Sequence, residues 1–190
     1  MSTNIVLCGV GGQGTILASK LIARAAMDRG IPVKTAETIC MAQRGGSVFS
    51  HVRLGEGAAS PLMPRGSADL ILAFEPAEAA RQLAFLKPGG TVVASTRPIV
   101  PVSAVTGGPG YDLDAIMEYL RANVENLILV DADAAAADLG SARCLNVVLL
   151  GAAARSGALG LTVEDMRGAV HALVPERFQE MNDRALEYAG

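Results

Sequence analysis

Gly9-Val10-Gly11-Gly12-Gln13-Gly14 sets a glycine-rich turn between an apolar run, Asn4 to Gly9, and a helical pattern that begins at Thr15. It satisfies Gly-x-Gly-x-x-Gly between a strand and a helix. The chemistry of such a turn is anion binding: bare backbone N–H groups and a helix N-terminus favour phosphate. Glu37 follows about 20 residues later, where an acid that bonds a ribose would stand. Taken alone, Gly9, Gly11, Gly12, Gln13, Gly14 and Glu37 predict a site for a phosphate, a CoA or a nucleotide. A second reading stays open. The glycines would also permit close strand–helix packing, and Gln13 suits a loop that docks on a partner.

Glu37-Thr38-Ile39-Cys40-Met41-Ala42-Gln43-Arg44-Gly45-Gly46-Ser47-Val48 is the other chemically suggestive stretch. Paired glycines allow positive φ, so successive N–H groups can converge on an anion or a close partner. Arg44 adds a rigid fork of donors. The segment reads as a shaped polar loop between two apolar strands.

No catalytic constellation is visible elsewhere. His51 and His171 have no metal-ligand neighbour at helical spacing. His51 falls on the polar face of its strand and is expected to be a satisfied surface group. Glu75 and Glu78 could be acid–base residues, but acids at a helix start are also expected for dipole reasons alone. Ser47 and Ser50 lack a recognisable base. Cys8, Cys40 and Cys144 form no Cys-x-x-Cys unit, which argues against an iron–sulfur cluster or structural zinc in this chain. Cys8 and Cys144 read as small buried residues.

The elements that must position these residues alternate. Strands are expected at Asn4 to Gly9, Pro32 to Glu37, Ser47 to Leu54, Leu70 to Phe74, Thr91 to Ser95 and Leu127 to Val130. Helices are expected at Thr15 to Asp28, from Pro76 to about Phe85, at Leu113 to Asn123 and at Asp133 to Leu139. Lys87-Pro88-Gly89-Gly90 reads as a turn, and Arg97 to Gly110 as a long loop. The tail is helical from about residue 142: Leu145 to Arg155, Thr162 to Leu173, and Pro175 to about Tyr188. Thr162 and Asp165 have capping-box spacing. The stretch Leu145 to Gly151 is apolar around most of its circumference, so it is buried in the domain or in a subunit interface.

This order predicts an α/β fold, a three-layer α/β/α sandwich with a mainly parallel sheet and a Rossmann-like first βα unit. The strand at Ser47 follows its predecessor with no helix between, so it can run antiparallel and make the sheet mixed. A single domain over residues 1–190 is expected.

Composition agrees with a folded chain. Of 190 residues, 51% are hydrophobic and only 18% charged, so a large core can form. Aromatics are 4% and Trp is absent, so that core must be built from aliphatic and small residues. The net charge of −3 and the absence of any basic run exclude a nucleic-acid reading. No apolar stretch is long enough for a membrane span, and the N-terminal apolar run is too short for a signal peptide. The cytoplasm is the expected location.

The blocks Gly9 to Gly14, Glu37, Met41 to Val48, Ser50-His51-Val52-Arg53, Ser60-Pro61-Leu62, Ala68-Asp69 and Phe74-Glu75-Pro76 occur in an order that resembles one family. Leu86-Lys87-Pro88-Gly89-Gly90, Asp131-Ala132 and Asn146 to Gly151 continue it. The resemblance is to the gamma-type domain of the 2-oxoacid:ferredoxin oxidoreductases, also called the pyruvate/ketoisovalerate oxidoreductase gamma family. Glu37-Thr38-Ile39 before Met41 is most similar to the indolepyruvate branch, in which this domain is a separate beta subunit. Many relatives in the pyruvate branch carry His-Gly where Ile39-Cys40 stand here.

The resemblance implies a subunit without clusters in a complex that decarboxylates an aryl 2-oxoacid oxidatively, forms the acyl-CoA and reduces ferredoxin. It implies that thiamine diphosphate, magnesium, iron–sulfur clusters and CoA are held by a large partner subunit. It also implies that Met41, Gln43, Arg44, Gly45, Gly46 and Ser47 face the partner's active site. No metal, nucleic-acid or membrane partner is expected of this chain, and alone it could form a homodimer. Two other readings remain from the glycine turn: a stand-alone NAD(P)-dependent Rossmann oxidoreductase, and a non-catalytic nucleotide-binding regulator.

Overall fold

A computed structural model describes residues 2–39, 46–57, 60–101, 104, 106 and 110–189. Cys40, Met41, Gln43, Arg44 and Gly45, and part of the expected 97–110 loop, lie outside the described residues.

Strand β1 (Thr3–Val10) is buried on both faces from Ile5 onward. It therefore takes a central place in a six-stranded sheet of order β2-β3-β1-β4-β5-β6. The other strands are β2 (Val33–Ile39), β3 (Ser47–Leu54), β4 (Ala68–Ala73), β5 (Leu86–Ser95) and β6 (Asn126–Val130). Strands β1, β4, β5 and β6 pair in parallel, while β3 runs antiparallel to both β1 and β2. The sheet is mixed because the connection from Ile39 to Ser47 is shorter than the dozen or so residues that a parallel crossover needs.

Seven α-helices accompany these strands among the described residues: α1 (Thr15–Asp28), α2 (Pro76–Gln82), α3 (Leu113–Asn123), α4 (Ala132–Leu139), α5 (Leu145–Arg155), α6 (Val163–Leu173) and α7 (Gln179–Glu187). Period-two alternation along β1 divides the core. Ile5 and Leu7 join α1, α5, α6 and α7 on one face. Val6 and Cys8 join α2 and α3 on the other. The result is the three-layer α/β/α arrangement.

Helix α5 shows why its sequence is apolar all round. Every residue from Asn146 to Ala154 is buried. Gly151 lets α7 approach so closely that a Cβ there would stand 2.2 Å from the carbonyl oxygen of Leu186. The domain itself covers this helix, so its apolarity does not mark a partner surface. Helix α6 begins with the expected capping box: Asp165 N donates to Thr162 Oγ1 at 3.1 Å, and Thr162 N donates to Asp165 Oδ2 at 2.7 Å.

Two expectations change. Lys87 to Gly90 belongs to the start of β5 and is not a free turn. Gly89 takes φ 70, and the β4–β5 register shifts between Ala68 and Leu70, so the strand absorbs the glycines as an irregularity. The helix after Pro76 ends at Gln82 and tightens into a single 3₁₀ turn, Leu83–Phe85. Among the described residues no helix is long and apolar enough to cross a membrane.

Candidate functional site

The glycine turn sits at the carboxyl end of β1, and its interior is filled by its own glutamine. Val10 N donates to Gln13 Oε1 at 2.7 Å, and Gln13 Nε2 donates to Phe74 O at 2.7 Å. The side chain thus closes the turn and ties it to the end of β4. Gly12 and Gly14 hold φ 101 and φ 80, values that L side chains rarely adopt. A Cβ at Gly14 would also come 2.8 Å from Asn146 Nδ2. Packing therefore explains Gly9 and Gly14 without any ligand.

A cleft of about 550 Å³ nevertheless opens beside the turn. Gly12, Gly14 and Leu17 line one side, at the start of α1. Arg97, Arg143 and Asn146 line the other. Asn146 is only 5% exposed, yet its carboxamide finds no hydrogen-bond partner among the described residues. Arg97 Nε lies 3.6 Å from Asp133 Oδ1 at an exposed edge. A helix N-terminus, two guanidinium groups and a free amide make this cleft attractive to an anion.

Glu37 does not line that cleft. Strand β3 stands between β1 and β2, so Glu37 pairs with Ser50, which in turn pairs with Leu7. Its Oε1 accepts from Ser19 Oγ at 3.1 Å. An acid that reads a ribose needs its strand next to β1. The inserted strand sets Glu37 about 5 Å further out, which sequence spacing could not reveal.

The second feature joins the start of β3 to α2. Gly11 N donates to Gly46 O at 2.9 Å. Ser47 Oγ donates to Glu78 Oε2 at 2.6 Å, and Arg81 pairs with the other oxygen of Glu78. Glu75 caps α2 by accepting from Glu78 N at 2.9 Å. The Tyr111 hydroxyl donates to Glu75 Oε1, and the backbone N–H of Ile99 donates to the same oxygen at 3.3 Å. Glu75 and Glu78 are 1% and 2% exposed, so they are more than helix-start acids facing water. Burial, then the bond to Glu75 and its charge, push the Tyr111 hydroxyl up, so it stays protonated and donates. Burial, then the charges of Glu78 and Glu75, push the Cys8 thiol well up as well. Cys8 is therefore neither a nucleophile nor a ready metal ligand.

His51 is not at the surface. It is 4% exposed, and its ring lies 5.6 Å from Phe49 and 5.1 Å from Phe85. Met63 N donates to its Nδ1 at 3.2 Å, and Nε2 has no hydrogen-bond partner among the described residues. Residues around Met63 and Phe85 cover this face of β3. That coverage is tertiary, so strand alternation could not report it. Burial and the charge of Arg53 lower its pKa, so the neutral ring is favoured.

The expected active-site loop is represented here by Gly46 and Ser47 alone. Sequence spacing missed Arg97, Arg143, Asn146 and Tyr111 as site residues; Arg143 and Asn146 are close neighbours in the chain, but Arg97 and Tyr111 come from other stretches of it. Only Glu75 and Glu78 carried a local signal, as acids at the N-cap and three residues on.

The model of one protein family, described as pyruvate ferredoxin/flavodoxin oxidoreductase, matches residues 4–190. The chain belongs to that family. Among its relatives, an indolepyruvate oxidoreductase subunit IorB from Archaeoglobus fulgidus is 42% identical over 98% of this chain and 93% of its own. A pyruvate/ketoisovalerate oxidoreductases common subunit gamma from Thermococcus kodakarensis is 25% identical over 95% of this chain and 91% of its own. The solved gamma subunit of a keto/oxoacid ferredoxin oxidoreductase from Geobacter sulfurreducens is 27% identical, with a TM-score of 0.70 over 97% of this chain and 94% of its own. The mixed α/β sandwich is thus the family fold.

Proposed function

We propose that this chain is the small, cluster-free subunit of a 2-oxoacid oxidoreductase complex that acts on indolepyruvate or a related aryl-pyruvate. The complex would release the carboxyl group as CO2, join the acyl group to CoA and pass the two electrons to ferredoxin. One observation carries the reading: the near full-length match to the indolepyruvate subunit at 42%, against 25% for the pyruvate/ketoisovalerate subunit. Cys8 and Cys144 lie in core clusters on opposite faces of the sheet, so they cannot share a cluster. Thiamine diphosphate, magnesium and the iron–sulfur clusters would therefore belong to a large partner subunit, whose carbanion and electron chemistry this chain would border. Met41, Gln43, Arg44 and Gly45, with Gly46 and Ser47, would face that active site. The whole chain would act as one domain, in the cytoplasm, and could pair with itself when isolated.

The cleft beside Gly12 and Gly14 would take a phosphate, from CoA or a nucleotide, on Arg97, Arg143 and Asn146. The position of Glu37 beyond β3 speaks against a stand-alone nicotinamide enzyme.

Co-expression with the large subunit tests the reading. A stable brown complex should reduce ferredoxin or a viologen dye, dependent on 2-oxoacid and CoA, and prefer indolepyruvate to pyruvate. The Arg44→Ala complex should turn over more slowly. The reading fails if the purified chain alone oxidises a substrate with a nicotinamide, or if no thiamine-dependent partner binds it.

A further inference from the structure

We propose that an apolar groove between α1 and the start of α7 is a base subsite continuous with the phosphate cleft, so that the two together take one nucleotide. The inference rests on the reading that the cleft beside Gly12 and Gly14 accepts a phosphate. The groove encloses about 320 Å³ and shares Leu17, Arg143 and Asn146 with that cleft. Beyond this common wall it is lined by Leu173, Val174, Pro175, Phe178 and Met181, and by one further polar residue, Asn182. Of the seven large apolar side chains exposed among the described residues, Leu17, Leu173 and Phe178 meet at this one groove. Single exposed apolar residues are ordinary, but a cluster around a concave surface marks a binding site.

The chemistry changes along the site. At one end stand the N-terminus of α1 and the guanidinium groups of Arg97 and Arg143. At the other the wall is apolar and carries an aromatic ring. Arg177 lies over the Phe178 ring, 4.7 Å from its centroid, and Asn182 Nδ2 donates to Phe178 O at 2.7 Å, so the ring is held in place. A bare phosphate would use the first end alone. A phosphorylated acyl chain would cover the apolar wall but leave two amides unpaired, which costs affinity. Asn146 is 5% exposed and unpartnered, and Asn182, 8% exposed, has an Oδ1 that accepts no hydrogen bond among the described residues. A nucleoside phosphate serves both. Its sugar hydroxyls can donate to and accept from the Asn146 carboxamide at the common wall. Its base can lie on Phe178 and turn an edge N–H toward Asn182 Oδ1.

Calorimetry of the full chain with AMP, ribose 5-phosphate and adenosine tests the inference. AMP should bind about tenfold more tightly than ribose 5-phosphate, as stacking of a base on an aromatic ring gives, and more tightly than adenosine. Phe178→Ala should bring AMP close to ribose 5-phosphate, and Leu17→Ala should narrow the gap. Both variants should bind ribose 5-phosphate as the parent does, which also shows that they are folded. Equal affinity of the parent for AMP and ribose 5-phosphate, or a gap that survives both substitutions, overturns the inference and leaves the phosphate cleft standing. Binding of none of the three, or adenosine as tight as AMP, removes the phosphate reading and the joined site with it. CoA, which carries an adenosine phosphate, is measured beside AMP. Tighter CoA identifies the coenzyme as the source of the nucleotide, equal affinity identifies a free nucleotide, and either result keeps the base subsite.

Discussion

Gln13 occupies the space that a side chain at residue 9 would need: an added Cβ on Gly9 would lie 2.7 Å from Gln13 Oε1 and 2.9 Å from Phe74 Cβ. The turn is therefore a folded-back glutamine locked over a bare glycine. Gly9→Ala should overpack this corner and cost about 1–3 kcal/mol. Gln13→Ala should leave Val10 N and Phe74 O without their partner, at about 1–3 kcal/mol for the two groups together. Chemical denaturation of the isolated subunit checks both. Unchanged midpoints would show that the turn does not depend on this interlock.

The cleft beside the turn makes a separate prediction. Calorimetry of the subunit with CoA, AMP and NADH should show phosphate-dependent binding. Arg143→Ala should weaken it about tenfold, as expected for loss of a charge-assisted contact of about 1.5–3 kcal/mol. Stability should not change, because Arg143 forms no ion pair among the described residues. Selective, tight NADH binding would instead favour a nicotinamide enzyme. No binding would leave the glycines with packing alone.

Buried His51 sets a pH dependence. Its pKa is lowered in the fold, from an unfolded value of about 6.5. Below pH ~6.5 the unfolded chain takes up a proton that the native ring resists, so stability falls with acidification until the folded pKa is passed. The contribution is fully present above the unfolded value. Its slope is at most about 1.4 kcal/mol per pH unit. His51→Asn keeps an acceptor for Met63 N and cannot titrate. The difference between parent and variant stabilities, measured from pH 8 to pH 5, should change in this sense. A flat difference would show that His51 is protonated alike in both states.

The layers were legible because their signals are local. The apolar run at Asn4 to Gly9, the helical spacing after Thr15 and the Thr162–Asp165 cap each fix one element by themselves. The lack of a helical pattern in the sequence between Glu37 and Ser47 even points to the antiparallel strand. What β3 does was not legible. Its insertion between β1 and β2 moves Glu37 away from the turn, and this depends on pairing between strands rather than on spacing along one. His51 and Glu78 failed for a related reason. Each lies where alternation or helix position predicts water, and each is covered by residues from another element.

Two helical glycines should respond to alanine with opposite signs. Alanine is favoured over glycine in a helix by about 1 kcal/mol. Gly168 on α6 is exposed, and an added Cβ would meet nothing within 4 Å. Gly168→Ala should therefore stabilise the subunit by up to that amount and raise Tm by about 2–4 °C. Gly151 on α5 gains the same propensity but meets a backbone oxygen, Leu186 O, at 2.2 Å. That atom cannot turn aside as a side chain can, so α7 must move away from α5. Arg155 would move with this contact, since it donates to the carbonyls of Leu186 and Tyr188. The overpacking cost of about 1–3 kcal/mol or more should exceed the gain. Gly151→Ala should thus lower Tm while Gly168→Ala raises it. Differential scanning calorimetry of the two variants decides the matter. A Tm at or above the parent's for Gly151→Ala would mean that α5 and α7 are not packed backbone to backbone.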